Sequence, residues 1–200
     1  MGHGGTLDPL ATGVLVLGIG KGTKVMGEYL KGPKSYAACF AVGHETDTLD
    51  SEGVVTERSD APLVLDEAKL DAFRGEIMQV PPMYSAIRKG GKRLYELARE
   101  GKGYDDVDVP PRPCTVHELT VKGTGEDGVF RMECIVGGGT YIRSLIRDLA
   151  RSHGTLATMT QLERTEAGGF KIEECVDLKS DAEGIYGAAE RVSRERGIEF

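Results

Sequence analysis

Residues 2–13 surround a single carboxylate, that of Asp8, with small and conformationally stiff residues. The segment reads GHGGTLDPLATG, with four glycines and with Pro9 directly after the acid. Glycine permits sharp turns and proline fixes the backbone, so the pattern predicts a rigid loop that presents the carboxylate openly. Such rigidity suits a reacting group. Taken in isolation, an aspartate before proline more often caps a helix or a turn.

Two further glycine-rich segments, GIGKGTK at 18–24 and GGGTY at 137–141, precede predicted helices. Backbone amides at a helix start can bind an anion, which keeps a sugar- or nucleotide-binding module as one alternative. Neither segment matches GxGxxG or the GxxxxGK[ST] phosphate loop. Tight strand-to-helix turns are therefore the simpler interpretation.

Metal, thiol and serine-hydrolase chemistry lack sequence signals. The histidines (His3, His44, His117 and His153) have no metal-ligand spacing, and the cysteines (Cys39, Cys114, Cys134 and Cys175) form no CxxC pair. No GxSxG motif is present. The sequence predicts a chain without a bound metal, with its thiols buried in a reducing compartment.

Composition indicates one globular domain with a locally basic stretch. The 200 residues are 40% hydrophobic and 28% charged, with a formal net charge of −7. That balance argues against a general polyanion binder. Residues 88–102 nevertheless carry six basic side chains against two acidic ones. Nucleic-acid binding is thus permitted by this stretch, although a solvated helix face is the alternative for any single residue in it.

Apolar periodicity and turn residues divide the chain into short elements. The clearest helix is predicted at 141–153, where apolar residues recur at helical spacing before Gly154. Further helices are predicted at 23–30, 66–77, 93–100 and 186–196, and Gly90-Gly91 predicts a hairpin-type turn. Strands are predicted at 14–17, 36–42, 53–56, 83–87, 114–122, 129–136, 157–163 and 169–173. Strands outnumber helices and most connections are short, which predicts an α+β fold with a mixed, largely antiparallel sheet and flanking helices.

Six ordered motifs resemble those of the TruB-type pseudouridine synthases, which isomerise a uridine in the T-loop of tRNA. They are GHGGTLDPLATGVL from position 2, KSY from 34, TDTLD from 46, QVPPMYSA from 79, GTYIRSL from 139 and QLERT from 161. Their order and spacing agree over 2–173. The resemblance implies a pseudouridine synthase catalytic domain over 1–175, a helical tail over 176–200, and an isomerase that needs no cofactor and no metal.

The resemblance also implies roles for individual residues. Asp8 matches the catalytic aspartate, which acts as a nucleophile. Tyr36 matches the tyrosine that stacks on the flipped uracil, and Tyr141 and Arg143 match the active-site pair of the GTYIR motif. Arg143 is expected to hold the Asp8 carboxylate in its charged form and to aim it, while Asp50 joins the arginine in a charge network.

Substrate and RNA contacts follow from the same resemblance. Leu162 matches the apolar wall of the base pocket, and His3 matches a histidine that occupies the space left by the flipped base. The basic stretch is expected to meet the RNA phosphates through Arg88, Lys89, Lys92 and Arg93. The expected partner is the T-arm stem-loop of tRNA, bound by a monomer away from membranes. We expect the protein to be intracellular: cytoplasmic in a prokaryote, and nuclear, cytoplasmic or mitochondrial in a eukaryote.

The sequence departs from the family pattern at both ends. Family members usually begin with a segment that contains an LDKPxGxTS-like motif, whereas Met1 here lies directly before the histidine loop. There is also no room after 173 for the family's C-terminal PUA domain. These departures predict an N-terminally incomplete catalytic domain. They leave open the alternative of a truncated, inactive homologue that binds or remodels RNA without catalysis.

Overall fold

The computed structural model describes residues 1–124, 128–177 and 182–196. Its strands are β1 (Gly2–His3), β2 (Thr12–Gly13), β3 (Leu17–Gly18), β4 (Lys34–Val42), β5 (His44–Thr46), β6 (Val55–Arg58), β7 (Gly75–Gln79), β8 (Arg88–Lys89), β9 (Lys92–Arg93), β10 (Arg112–Gly123), β11 (Val129–Val136), β12 (Ala157–Ala167) and β13 (Phe170–Lys171). Its α-helices are α1 (Met26–Lys31), α2 (Glu67–Asp71), α3 (Leu94–Arg99), α4 (Ile142–Ser152) and α5 (Ala182–Arg196). Two 3₁₀-helices cover Gly20–Val25 and Ile172–Glu174.

The central sheet has seven strands, in the order β13-β12-β4-β11-β10-β7, with β2 joined to β12. All neighbours along that path are antiparallel, and only the β2–β12 pair is parallel. The predicted α+β class, with a mixed and largely antiparallel sheet, is confirmed. Strand β4 lies inside the sheet, because it pairs with β12 along one edge and with β11 along the other, and its side chains Ala38 and Phe40 lie in the main core.

Helix α4 covers that face of the sheet. Its side chains Ile142, Leu145 and Leu149 recur at helical spacing and are buried against Phe40 of β4 and Met132 of β11. The helix begins directly after the glycine segment 137–139. A Cβ at Gly138 would lie 2.5 Å from the Leu30 carbonyl oxygen, so only glycine lets the chain pass so close to α1 on its way into α4.

A second, smaller core lies apart from the sheet. Met83, Leu94, Leu97 and Val107 form it, and we call residues 83–109 the hairpin lobe. The β8–β9 hairpin in this lobe turns at Gly90 and Gly91, as predicted, because both residues have positive φ. Hydrogen bonds tie the adjoining Val80 and Pro81 carbonyls to Arg147 and Tyr104 at 3.0 Å each.

Three predicted elements are wrong. The helix expected over 66–77 ends at Asp71, because Gly75 adopts a φ of 84° and the next residues pair with β10 as an edge strand. No strand forms over 83–87, where the Ser85 amide instead bonds the Met83 carbonyl in a tight turn. The strand expected over 14–17 is confined to β3, since the Val14 amide bonds the Arg164 carbonyl at 2.8 Å while Leu17 pairs with His3.

The C-terminal helix α5 starts at Ala182, four residues before the predicted boundary at 186. Residues 178–181 and 197–200 of the proposed tail lie outside the described residues. The division at 175 into a domain and a tail stays a prediction. Within the ranges that the structure describes, no helix combines the length and apolar character needed to cross a membrane.

Candidate active site

The side chains of Asp8 and Arg143 form a two-pronged ion pair. Arg143 donates from Nε to Oδ2 of Asp8 at 2.8 Å and from Nη2 to Oδ1 at 2.7 Å. The first turn of α4 supplies the arginine, and the glycine-rich opening segment supplies the acid. The Asp8 side chain is 28% exposed while that of Arg143 is only 5% exposed. The carboxylate is therefore fixed in orientation by a buried partner but remains accessible to a ligand from solvent.

Arg143 itself is held from two other segments. Its Nη1 donates to the Thr48 carbonyl at 2.8 Å, and its Nη2 donates to the Tyr84 carbonyl at 3.1 Å. Oδ2 of Asp50 lies 3.6 Å from Nη1, and the Asp50 side chain is 5% exposed. Two carboxylates thus balance the buried guanidinium, and the two carbonyls restrict its rotation.

The turn around Asp50 fixes this second carboxylate. Oδ1 of Asp50 accepts from the Thr48 hydroxyl at 2.7 Å and from the Glu52 amide at 3.1 Å, which directs Oδ2 towards Arg143. Between these residues Leu49 has a φ of 64° and is buried. Left-handed backbone is unfavourable for leucine. The turn therefore stores backbone strain in order to present the Thr48 carbonyl and Asp50 to the arginine.

Tyr36 lies half-buried on β4, with Cys134 of β11 and Arg164 of β12 as its cross-strand neighbours. Burial raises the pKa of its hydroxyl, and the adjacent Arg164 guanidinium opposes that rise. The negative charge of Asp8 adds to the increase in the pKa of Tyr36. The hydroxyl is therefore protonated at neutral pH, and the ring lies half-buried on β4.

Tyr141 is the residue directly before α4 and lies two positions before Arg143 in the chain. The Gln79 side chain brackets its peptide group: Nε2 donates to the Tyr141 carbonyl at 3.1 Å, and Oε1 accepts from the Tyr141 amide at 2.8 Å. Burial raises the pKa of the Tyr141 hydroxyl, while Ser85 and the Arg143 charge lower it. Gln79, the last residue of β7, thus holds the turn that leads into the first turn of α4, from which Arg143 projects.

Leu162 and His3 lie in different surroundings. Leu162 of β12 is 6% exposed and pairs with Ala38 of β4 in the main core. His3 is exposed on the short β1–β3 ribbon, and its Nδ1 accepts from the Gly5 amide at 3.3 Å. Leu162 therefore lies in the main core, and His3 lies on the accessible edge of the glycine-rich segment that carries Asp8.

Most basic side chains of the β8–β9 hairpin already have a partner within the protein. Lys89 pairs with Asp108 at 2.9 Å, and Lys92 pairs with Glu100 at 2.5 Å. Arg88 donates to the Gly91 carbonyl, and the Arg93 guanidinium lies over the Tyr95 ring. These pairs are exposed and hence weak, so phosphate oxygens can replace the carboxylates without a large loss of stability.

Sequence reasoning missed two buried cations beside this site. The Lys34 ammonium donates to the carbonyls of Tyr29, Leu30 and Gly32 at 2.9, 3.0 and 2.8 Å. Arg164 is 1% exposed and bonds carbonyls of the segment around Asp8. The two-residue period of strands could have identified them. Lys34 lies two positions before Tyr36 on the same face of β4, and Arg164 lies two positions after Leu162 on the same face of β12.

Across the described ranges, no group of three or more histidine, cysteine or acidic side chains converges in a way that could hold a metal ion. The arrangement offers a held carboxylate, a guanidinium and two tyrosines.

Comparison with known proteins relates this geometry to a family. Residues 1–142 match the model of the TruB family pseudouridylate synthase N-terminal domain. The tRNA pseudouridine synthase B of Novosphingobium aromaticivorans is 47% identical over 184 residues, which cover 89% of this chain and 60% of that protein. Pseudouridylate synthase TRUB1 of Homo sapiens is 43% identical over 177 residues, which cover 87% of this chain and 50% of that protein. The chain thus spans about half to three-fifths of these relatives.

Solved structures give the same relationship. A chain from the crystal structure of a Cbf5-Nop10-Gar1 complex superimposes with a TM-score of 0.64 at 29% identity, covering 99% of this chain and 48% of that one. A chain from an H/ACA RNP bound to a substrate RNA containing 2'-deoxyuridine superimposes with a TM-score of 0.57 at 27% identity, covering 99% of this chain and 47% of that one. The protein belongs to the TruB family of pseudouridylate synthases.

Proposed function

We propose that this protein isomerises uridine to pseudouridine in the T-loop of tRNA, with Asp8 as the nucleophile. The observation that carries the proposal is the two-pronged Asp8–Arg143 pair, in which the acid is held in orientation but stays open on one side. The 47% identical relative is a tRNA pseudouridine synthase, which supplies the substrate class. Family membership and site geometry therefore support the same reaction.

The chemistry is an internal rearrangement. The bond from N1 of the base to C1′ of the ribose breaks, the base turns, and a bond from C5 to C1′ forms. C5 loses a proton and N1 gains one, so the reaction is balanced without an oxidant, a reductant or a donated group. A carboxylate that attacks the nucleoside holds one fragment covalently while the base turns, and this is the role we assign to Asp8.

The remaining residues bind and orient the nucleotide. Extrusion of a uridine from the T-loop costs a few kcal/mol, which the pocket must offset. The Tyr36 ring stacks on the uracil, which contributes about 1–3 kcal/mol per base, and Leu162 forms the apolar wall beside it. Water takes up the proton that C5 loses, and the protonated Tyr36 hydroxyl orients that water. His3 occupies the space from which the base departs.

Arg143, Asp50 and Tyr141 keep the nucleophile in place. The guanidinium aims the carboxylate, Asp50 fixes the guanidinium from its other side, and Tyr141 lines the site where α4 begins. The tRNA backbone meets the hairpin lobe, where phosphate contacts set register rather than sequence preference. Arg88, Lys89, Lys92 and Arg93 make those contacts.

Tritium release from tRNA labelled at C5 of uridine tests the proposal. The parent protein should release tritium without added metal from a T-arm stem-loop, and it should not act on an anticodon stem-loop. Asp8→Asn and Asp8→Ala should abolish release while retaining tRNA binding. Asp60→Asn is the matched control, because Asp60 is an exposed loop aspartate. Asp8→Ala with parent activity would refute the nucleophile, and a parent that binds tRNA without release would favour the inactive homologue.

A further inference from the structure

Arg164 holds both ends of the segment that carries Asp8. Its Nε donates to the Val14 carbonyl at 2.6 Å, and its Nη2 donates to the Gly5 carbonyl at 3.1 Å. Nη1 lies 3.4 Å from the Thr6 carbonyl. We call residues 4–14 the aspartate loop. One guanidinium thus links the beginning of this loop to its end, from a strand about 150 positions downstream.

The main chain of the same residue reinforces this contact. The Val14 amide donates to the Arg164 carbonyl at 2.8 Å, and Gly13 pairs with Arg164 in the only parallel strand pair of the described sheet. Gly13 has a φ of 100°, and a Cβ there would lie 2.2 Å from the Arg164 carbonyl oxygen. The sequence therefore keeps glycine where the loop passes against this arginine.

Arg164 is also the cross-strand neighbour of Tyr36. Directly opposed residues of antiparallel strands place their side chains side by side on one face of the sheet, and the guanidinium opposes the rise that burial causes in the pKa of the Tyr36 hydroxyl. Among the residues that the structure describes, no carboxylate lies within 4.0 Å of the Arg164 guanidinium. Burial of a cation without an anion is costly. The three carbonyls that this cation bonds all lie in the aspartate loop, so its burial is offset by contacts that hold that loop.

We propose that Arg164 is a positioning residue that fixes the aspartate loop and Tyr36 relative to each other. This inference rests on the proposed function, because that function makes Asp8 the nucleophile and Tyr36 the ring that stacks on the same nucleotide. Its hydrogen bonds to the loop carbonyls fix the position of Asp8, and its contact with the Tyr36 phenol fixes the position of the stacking ring. Arg164 thereby links the segment that supports the nucleophile to the strand that carries the stacking ring. A displacement of about 1 Å in such a pair can cost about a hundredfold in rate.

Arg164→Lys tests this role, because lysine keeps the charge but cannot bond the separate carbonyls and the phenol together. With enzyme in saturating excess over tRNA, we expect the single-turnover rate of tritium release to fall about a hundredfold, with little change in tRNA affinity. Arg74→Lys is the matched control. Arg74 also bonds a backbone carbonyl through two nitrogens, that of Leu119 at 3.2 and 2.8 Å, on the far side of the sheet.

Hydrogen exchange supplies a readout that does not depend on activity. Tyr36→Phe removes only the hydroxyl beside Arg164 and leaves a ring that still stacks. If Arg164 links the two elements, this variant should accelerate amide exchange in the aspartate loop, whose residues do not include position 36. Because Tyr36→Phe leaves Arg164 in place, it also tests the proposal if Arg164→Lys fails to fold.

The outcomes are distinguishable. A parent protein that releases no tritium contradicts the proposed function, and the exchange measurement then still decides the link between loop and tyrosine. Unchanged loop exchange in Tyr36→Phe would overturn the positioning role. An Arg164→Lys rate of tritium release within twofold of the parent would overturn it as well. So would a loss of rate that disappears when the two proteins are compared at a temperature at which both are equally folded.

Discussion

Asp8 and Arg143 stand 135 positions apart in the chain and meet through two hydrogen bonds of 2.8 and 2.7 Å. The guanidinium fork matches the planar carboxylate, so the pair fixes the direction of the acid as well as its position. Asp50 lies on the other side of the same guanidinium, 3.6 Å from Nη1. The orientation of the Asp8 carboxylate therefore depends on three segments that are distant in sequence.

Replacing the Arg143 guanidinium by a lysine ammonium should reduce the rate of tritium release without unfolding the protein. In Arg143→Lys, the ammonium can bond one Asp8 oxygen but cannot hold both, so the carboxylate can rotate. We expect the single-turnover rate of tritium release to fall about a hundredfold, with tRNA affinity within a few-fold of the parent. Arg151→Lys is the control, because Arg151 makes a similar two-pronged pair with Glu45 at the other end of the same helix. Equal effects of the two substitutions would contradict the assignment.

Leu49 should tolerate glycine better than alanine. Both substitutions remove the same buried side chain, but only glycine relieves the left-handed backbone at φ 64°. We expect Leu49→Gly to exceed Leu49→Ala in free energy of unfolding by about 1 kcal/mol in urea denaturation. Leu70, which is buried within helix α2, should show the opposite order, with alanine above glycine by about 1 kcal/mol. The same order at both positions would show that the turn is not strained.

Removal of positive charge from the β8–β9 hairpin should weaken tRNA binding and leave the rate of catalysis unchanged. The double variant Arg88→Ala with Arg93→Ala removes up to two phosphate contacts, so the salt dependence of log Kd should become shallower by about 1–2. The KM should rise while kcat stays at the parent value. Binding titrations over a salt series measure this, with Arg131→Ala as the control because Arg131 pairs with Glu133 on the sheet surface. An unchanged slope would place the RNA elsewhere.

Cys134 should make folding stability depend on pH in the alkaline range. Burial raises the pKa of its thiol to about 12. The unfolded thiol ionises first, near pH 8.5, so the unfolded state binds fewer protons there and is favoured as the pH rises. The free energy of unfolding should therefore fall by up to about 1.4 kcal/mol per pH unit between pH 9 and 12.

The Cys134→Ala variant measures that contribution. Its free energy of unfolding should decline less steeply than that of the parent between pH 9 and 12, as followed by urea denaturation at each pH. In the native parent at pH 8, a thiol reagent should modify the exposed Cys175 and should reach Cys134 only after unfolding. Rapid modification of Cys134 in the native state would show that the strand pairing around it opens readily.

Local pattern was sufficient for much of the fold. The helix over α4 could be predicted because its apolar residues repeat at 3.6-residue spacing and Gly154 follows it. The β8–β9 hairpin followed from two adjacent glycines, and the expectation of a rigid loop around Asp8 came from its glycines and Pro9. Local pattern failed over residues 66–77. Their apolar residues do recur at helical spacing, but pairing with β10 satisfies the backbone of Gly75–Gln79 better than a helix does.

By itself, the sequence determined which residues are available for chemistry: one acid in a stiff loop, one arginine at the start of a helix, and a tyrosine on a strand. Only the tertiary structure decided how they meet. The contacts that position them, from Arg164 to the aspartate loop, from Gln79 to the Tyr141 peptide and from Arg143 to the Thr48 carbonyl, join groups 62 to 159 positions apart. Most of these contacts end on backbone carbonyls, which every residue carries. No pattern of side-chain types could reveal them, because their partners are chosen by where the folded backbone passes.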